Sequence, residues 1–153
     1  MDFGIDGLDV WKRAVSFAVT INKEIIPALP AAEKFALNSQ LRRSSQSIAA
    51  NIAEGHGRYY YQETIRYLYI ARGSLTETYN HLVFAQKMAY IDGNTFEKLT
   101  GELSEIRKMI NGHITFLKSS KKGENEPGNS VRETVTEYEI NPMNLYQEDD
   151  TTG

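Results

Sequence analysis

Glu77 and His81 stand four residues apart in RGSLTETYNHLVF. That spacing puts a carboxylate and an imidazole on one face of a helix. Together they could begin a metal site or an acid–base pair. Two ligands alone make a weak site. A di-metal helical bundle places Glu-x-x-His pairs on facing helices, and the chain contains no such pair. The other histidines, His56 and His113, are scattered. His113 falls on the core side of its helical pattern and reads as a hydrogen-bonded packing residue. Cysteine is absent, which excludes disulfides and thiolate metal sites. Gly55-His56-Gly57 is a helix terminator rather than a phosphate-cradling G-x-G-x-x-G loop. No nucleophile–base pair follows from spacing. The expectation is therefore a protein without catalytic residues, cofactor or metal.

A second set of residues promises contacts instead of reactions. In QLRRSSQSIAANIAEGHGR, Arg43, Ser47, Asn51, Glu54 and Arg58 recur every three or four positions. On a helix they form one polar stripe. A solvated stripe favours Lys and Glu, whereas Ser and Asn are mediocre helix formers that compete for backbone hydrogen bonds. Specific contacts are expected, with Arg43, Ser47, Asn51, Glu54 and Arg72 in a polar network within or between subunits. Arg72 falls between Leu68 and Leu75 on an apolar stripe. A guanidinium there needs a partner, with Glu54 first and Glu77 second, unless it snorkels to water along its own stem. Lys12, Arg13, Arg42, Arg43, Arg58 and Arg66 are the basic candidates for phosphate contacts. Tyr59, Tyr60 and Tyr61 follow Arg58 and could stack on bases. The simpler reading for that trio is packing, and Tyr61 fits the core stripe.

Four segments with helical periodicity must position these groups. The first, 6–29, carries Leu8, Trp11, Val15, Ala18 and Ile25 on one stripe and ends at Pro27 and Pro30. The second, 32–55, carries Leu37, Leu41, Ser45, Ile48 and Ile52, with small residues Ala49 and Ala53 beside them. The third, 59–90, carries Tyr61, Ile65, Leu68, Arg72, Leu75, Tyr79 and Leu82. Its opposite side holds a second apolar patch, Ile70, Phe84 and Met88, beside Gly73. A bundle helix needs only one buried face, so these four residues are the expected subunit interface. The fourth opens at Asn94, a good N-cap with Glu97 three residues on, and carries Leu99, Leu103, Ile106, Ile110, Ile114 and Leu117. Short connections between long amphipathic helices imply an all-α, antiparallel, up-down-up-down four-helix bundle over residues 1–120.

The charge is uneven. Residues 1–122 hold 16 Lys+Arg against 12 Asp+Glu, a balance of +4, and residues 123–153 hold 1 against 8, a balance of -7. Residues 121–153 read as an acidic, disordered tail. Within it, 131–138 alternates weakly as a short strand would, and the last residues could form a docking motif. No apolar run approaches the ~18 residues that span a bilayer, and no basic, apolar leader opens the chain. A cytoplasmic setting without membrane partners is expected.

The runs LDVWKRAVSFAVTI, LNSQLRRSSQSIAANIAEGHGR and IRYLYIARGSLTETYNHL resemble a bacterial four-helix-bundle family that includes proteins encoded by intervening sequences in 23S rRNA genes. They are also similar to the accessory variability protein of diversity-generating retroelements. The resemblance covers roughly Leu8 to Leu117. It is most specific at Gln40–Arg43, Ser47-Ile48, Asn51–Gly55, Gly57-Arg58 and Ala71–Ser74. It implies a non-enzymatic homo-oligomer, typically a pentamer. It further implies association with RNA or DNA, and with a reverse transcriptase in the retroelement branch. The low pI, about 5.6, weighs against a dedicated nucleic-acid binder. A scaffold that binds only protein is the alternative, and salt dependence separates the two.

Overall fold

The computed structural model describes residues 3–120. Four α-helices account for most of them: α1 (Asp9–Thr20), α2 (Leu37–His56), α3 (Tyr61–Lys87) and α4 (Gly93–Ser119). Among the described residues there is no strand. The strand-like stretch 131–138 and the acidic tail lie outside them.

The first segment is neither continuous nor uniformly α: a 3-10 turn, Ile5–Gly7, and an extended Leu8 precede α1. After Thr20 it widens into a π-helical turn, Ile21–Ile25, then tightens into a 3-10 turn, Ile26–Ala28. Pro27 supplies the cause. A proline ring clashes with the carbonyl four residues back, and its nitrogen cannot donate. A widened turn ahead of it moves that carbonyl aside. The second segment starts later than its periodicity predicts. Ala31–Glu33 is a separate 3-10 turn, and α2 begins at Leu37, where Glu33 Oε2 accepts from the Leu37 amide at 3.3 Å.

The start of α4 is also corrected. Asp92, not Asn94, is the N-cap: its carboxylate accepts from the Thr95 amide at 2.7 Å. That bond holds the Asp92 carboxyl below its ordinary pKa. An anionic acceptor at a helix N-terminus gains from the macrodipole, which asparagine does not. At the end of α3, Ala89 takes a left-handed backbone with φ 58°, and the Tyr90 amide reaches back to the Ala85 carbonyl at 2.9 Å.

All four helices contribute to one core. Val10, Ala14 and Phe17 come from α1, and Leu41, Ile48 and Ile52 from α2. Ile65, Leu68, Leu75 and Leu82 of α3 meet Leu99, Leu103, Ile106 and Ile110 of α4. Burying each such side chain contributes about 1.5–3 kcal/mol.

The α2–α3 contact is built differently. Its inward residues are small and hydroxylated: Ser44 and Ser47 on α2, Ser74 and Thr78 on α3. Ser47 Oγ lies 2.9 Å from Ser74 Oγ, and Thr78 Oγ1 lies 2.9 Å from both Ser44 Oγ and the Ser74 carbonyl. Partners in α3 descend as numbers rise in α2, from Arg43–Glu77 through Ser47–Ser74 to Gly55, which sits against Thr64 and Tyr67. Short side chains let the backbones approach, and each buried hydroxyl keeps a partner.

Thr78→Val is therefore expected to cost about 1–3 kcal/mol, because it strands the fully buried Ser44 hydroxyl. Among the described residues Ser44 then keeps one partner, the Leu41 carbonyl at 3.5 Å. Adding Ser44→Ala should recover part of that loss, since removing both partners is far cheaper than removing one. A denaturant-melt double-mutant cycle checks this, and strictly additive losses would contradict it.

Candidate interaction surface

The polar stripe of α2 runs beside α3, and its members find separate partners. Arg43 is ion-paired with Glu77 and takes a hydrogen bond partner in Gln40 at 3.1 Å. Ser47 bonds Ser74 across the seam. Asn51 Nδ2 donates to the Ser47 carbonyl at 2.8 Å and to Ser47 Oγ at 3.0 Å. Glu54 pairs with Arg58 one turn on. Arg58 Nη2 also donates to the Tyr67 hydroxyl at 2.8 Å, and its guanidinium lies 4.8 Å from that ring.

Arg72 does not join this set. The expected Glu54–Arg72 pair is absent; Arg72 Nη1 donates to Asn111 Oδ1 of α4 at 3.1 Å and stacks 4.8 Å from the Tyr69 ring. The reason is the rotation of α3. Its buried face runs through Ala71, Ser74, Leu75 and Thr78. Arg72 is consequently half-buried at the α4 edge of the core, where an amide oxygen and an aromatic face are within reach. The expected network is thus three groups: Arg43, Ser47 and Asn51 with Glu77 and Ser74 along the α2–α3 seam, Glu54 with Arg58 and Tyr67 at the end of α2, and Arg72 with Asn111 and Tyr69 on the other side of α3.

The six basic candidates are also dispersed. Lys12 is 3.7 Å from Asp9, and Arg13 bonds Glu102 of α4 at 3.1 Å. Arg43 and Arg58 have the carboxylate partners just described. Arg42 and Arg66 are exposed, and among the described residues neither has an ion-pair partner. The α2–α3 turn gathers the most suggestive group: Arg58, Arg66 and the tyrosines between them. Tyr59 is 87% exposed, and Tyr60 meets it edge-on at 5.0 Å between ring centroids. Tyr61 instead packs against the core.

Among the described residues nothing covers the apolar patch on α3. Ile70, Phe84 and Met88 are exposed to 42%, 47% and 47%. A Cβ at Gly73 would meet nothing within 4 Å. Because Ser74 touches Ser47 and Glu77 touches Arg43, this patch and the α2 polar stripe adjoin as one surface.

The histidines divide differently from the sequence expectation. His81 Nε2 lies 3.7 Å from Glu77 Oε1, too long for a hydrogen bond, and is buried without a partner. The site holds two donors, and among the described residues no group of three or more metal-ligating side chains occurs. His113 is not hydrogen-bonded as expected. Its Nδ1 is buried without a partner. Burial first, and the nearby His56 second, push its pKa below the ordinary value. The sign of the linkage follows. The unfolded chain binds this proton more readily, so the stabilisation is complete above the unfolded-state pKa near 6.5 and falls away as pH drops below it. Melting curves from pH 7.5 to 5 should show a decline that His113→Gln flattens. An unchanged slope in the variant would remove His113 from the explanation.

Among the described residues, no helix is long and apolar enough to cross a membrane. No curated protein matches the chain. The family described as 23S rRNA-intervening sequence protein matches residues 6–112. A similar solved structure is that of a protein of unknown function from the S23 ribosomal protein family of Bacteroides thetaiotaomicron VPI-5482, at 1.70 Å resolution. It is 29% identical, with a TM-score of 0.64, and the alignment covers 69% of this chain and 95% of that one. The family match runs from the turn before α1 into the last third of α4, through every residue of the α2–α3 surface, and the chain belongs to the 23S rRNA-intervening sequence protein family.

Proposed function

We propose that this protein is a non-enzymatic, homo-oligomeric, up-down-up-down four-helix bundle whose subunits meet through the outer α2–α3 surface. The observation that carries this reading is the uncovered apolar patch of Ile70, Phe84 and Met88 on a helix whose other face is already buried. Five copies is the number implied by the family resemblance. The descending α2–α3 contacts, and the Arg72–Asn111 and Tyr69–Lys118 contacts of α3 with α4, support the alternating topology.

The assembly associates with RNA or DNA at the α2–α3 turn. There Arg58 and Arg66 supply charge, and exposed Tyr59 offers a stacking face. Repeating that turn around a ring multiplies a modest local charge. A reverse transcriptase partner is carried by the resemblance alone. The protein-only scaffold is favoured by a different observation: Lys12, Arg13, Arg43 and Arg58 already hold carboxylates of their own chain.

Binding of full-length protein to a labelled RNA and a labelled DNA duplex, at low and moderate salt, separates the readings. Micromolar, salt-sensitive binding that Tyr59→Ala with Arg66→Glu abolishes supports the nucleic-acid reading. No binding at low salt leaves the scaffold.

A further inference from the structure

Between the start of α2 and the end of α3 the chain leaves a cleft of about 590 Å³. Leu37, Val83 and Phe84 form its apolar wall, and Gln40, Asn80, His81 and Lys87 its polar rim, with Glu33 at the edge already accepting from the Leu37 amide and the Tyr90 hydroxyl. His81 Nε2 is buried there without a hydrogen-bond partner, and Lys87 is exposed without an ion-pair partner among the described residues. The cleft therefore suits a short segment with apolar anchors, flanking carboxylates and free backbone groups.

We propose that the occupant is the chain's own segment 140–146, INPMNLY, seated in its own subunit's cleft. Three observations favour it. The first is composition: Ile140, Met143, Leu145 and Tyr146 form the densest apolar cluster beyond residue 122, framed by Glu137 and Glu139 on one side and Glu148, Asp149 and Asp150 on the other. The second is charge: residues 123–153 hold 1 basic against 8 acidic residues, and the body before them carries the opposite balance. Carboxylates flanking the anchors would meet Lys87 at the rim, the one cation lining the cleft among the described residues.

The third is reach. Lys118, at the end of α4, donates to the Tyr69 hydroxyl at 2.7 Å. From Tyr69 to Phe84 is 15 residues of α3, or roughly 22 Å at helical rise. The 20 residue steps from Ser120 to Ile140 would give a root-mean-square span of about 25 Å for a random-coil linker. Effective concentration is greatest when linker span matches site separation. The inference shares Phe84 with the surface proposed above for subunit contact, but it needs no second copy of the chain.

The test uses the full chain, whose lack of cysteine makes engineered pairs clean. Asn80→Cys with Leu145→Cys places one thiol at the cleft rim and one in the segment. The control is Ser104→Cys with Leu145→Cys: Ser104 is exposed on α4, 14 residues before Lys118, at similar reach. Under mild oxidation the cleft pair should link at least tenfold faster than the control, giving a product that runs as one chain on a denaturing gel. Hydrogen exchange across 80–87 should accelerate at least threefold in Leu145→Asp, with the sedimenting mass unchanged. Equal linking rates, a product joining two chains, or unaltered exchange would overturn the proposal. Mass is read separately, so failure of the assembly leaves this outcome legible.

Discussion

Gly55→Val is expected to destabilise the fold by about 3 kcal/mol. Near its C-terminus, α2 crosses the start of α3 so closely that a Cβ on Gly55 would lie 2.9 Å from Tyr67 Cβ and 3.1 Å from the Thr64 carbonyl oxygen. Both neighbours belong to or hang directly from the backbone, so no flexible side chain can swing away. Relief requires moving the helices apart. That would also stretch the Ser47–Ser74 and Ser44–Thr78 contacts further along the seam. Helix propensity acts the other way, since glycine inside a helix loses about 1 kcal/mol relative to alanine. Gly101 and Gly112 are also helical, and a Cβ there meets nothing. Alanine at either should stabilise by about 0.5–1 kcal/mol. Opposite signs at Gly55 and Gly112 in chemical denaturation would establish the close crossing. A stabilised Gly55→Ala together with a tolerated Gly55→Val would refute it.

Loss of assembly in Ile70→Glu is the second large effect expected. In an isolated subunit Ile70 is substantially exposed, and its replacement by Glu should change stability by no more than about 0.5 kcal/mol. At a closed interface the same carboxylate would be buried without a partner, a penalty of several kcal/mol. About 3 kcal/mol corresponds to roughly a hundredfold weaker association. Gly73→Leu is a companion with a sharper logic. Among the described residues nothing would touch the new Cβ, and the helix gains propensity. Weaker association with an unchanged or higher subunit melt can then only report a neighbouring copy. Sedimentation velocity of both variants, beside their thermal melts, makes the comparison.

The long apolar periodicities made the four helices legible in the sequence. Leu99, Leu103, Ile106, Ile110 and Ile114 bury as their spacing predicts. The rotation of α3 was harder to read, because part of its buried face is Ala71, Ser74 and Thr78. Alanine and hydroxyl side chains carry little hydrophobic signal, whereas Tyr79 and Arg72 nearby look like stripe members. The true seam partners only emerge when Ser44 and Ser47 are set against Thr78 and Ser74. The odd composition of α2 is thereby explained on its inner side: short hydroxylated residues permit a close helical pair. On its outer polar stripe Glu54 and Arg58 satisfy each other locally, as an i,i+4 spacing allows. The π-turn ahead of Pro27 and the Asp92 cap depend on backbone detail that periodicity does not encode.

The most direct test of the account is the mass of the unmodified full-length protein in solution, by sedimentation equilibrium from about 1 to 100 µM. The account predicts a multiple of 17.3 kDa, five copies, that persists on dilution to micromolar concentration. A single species at 17.3 kDa across the whole range would contradict it, and would leave the Ile70, Phe84 and Met88 surface without the partner proposed for it.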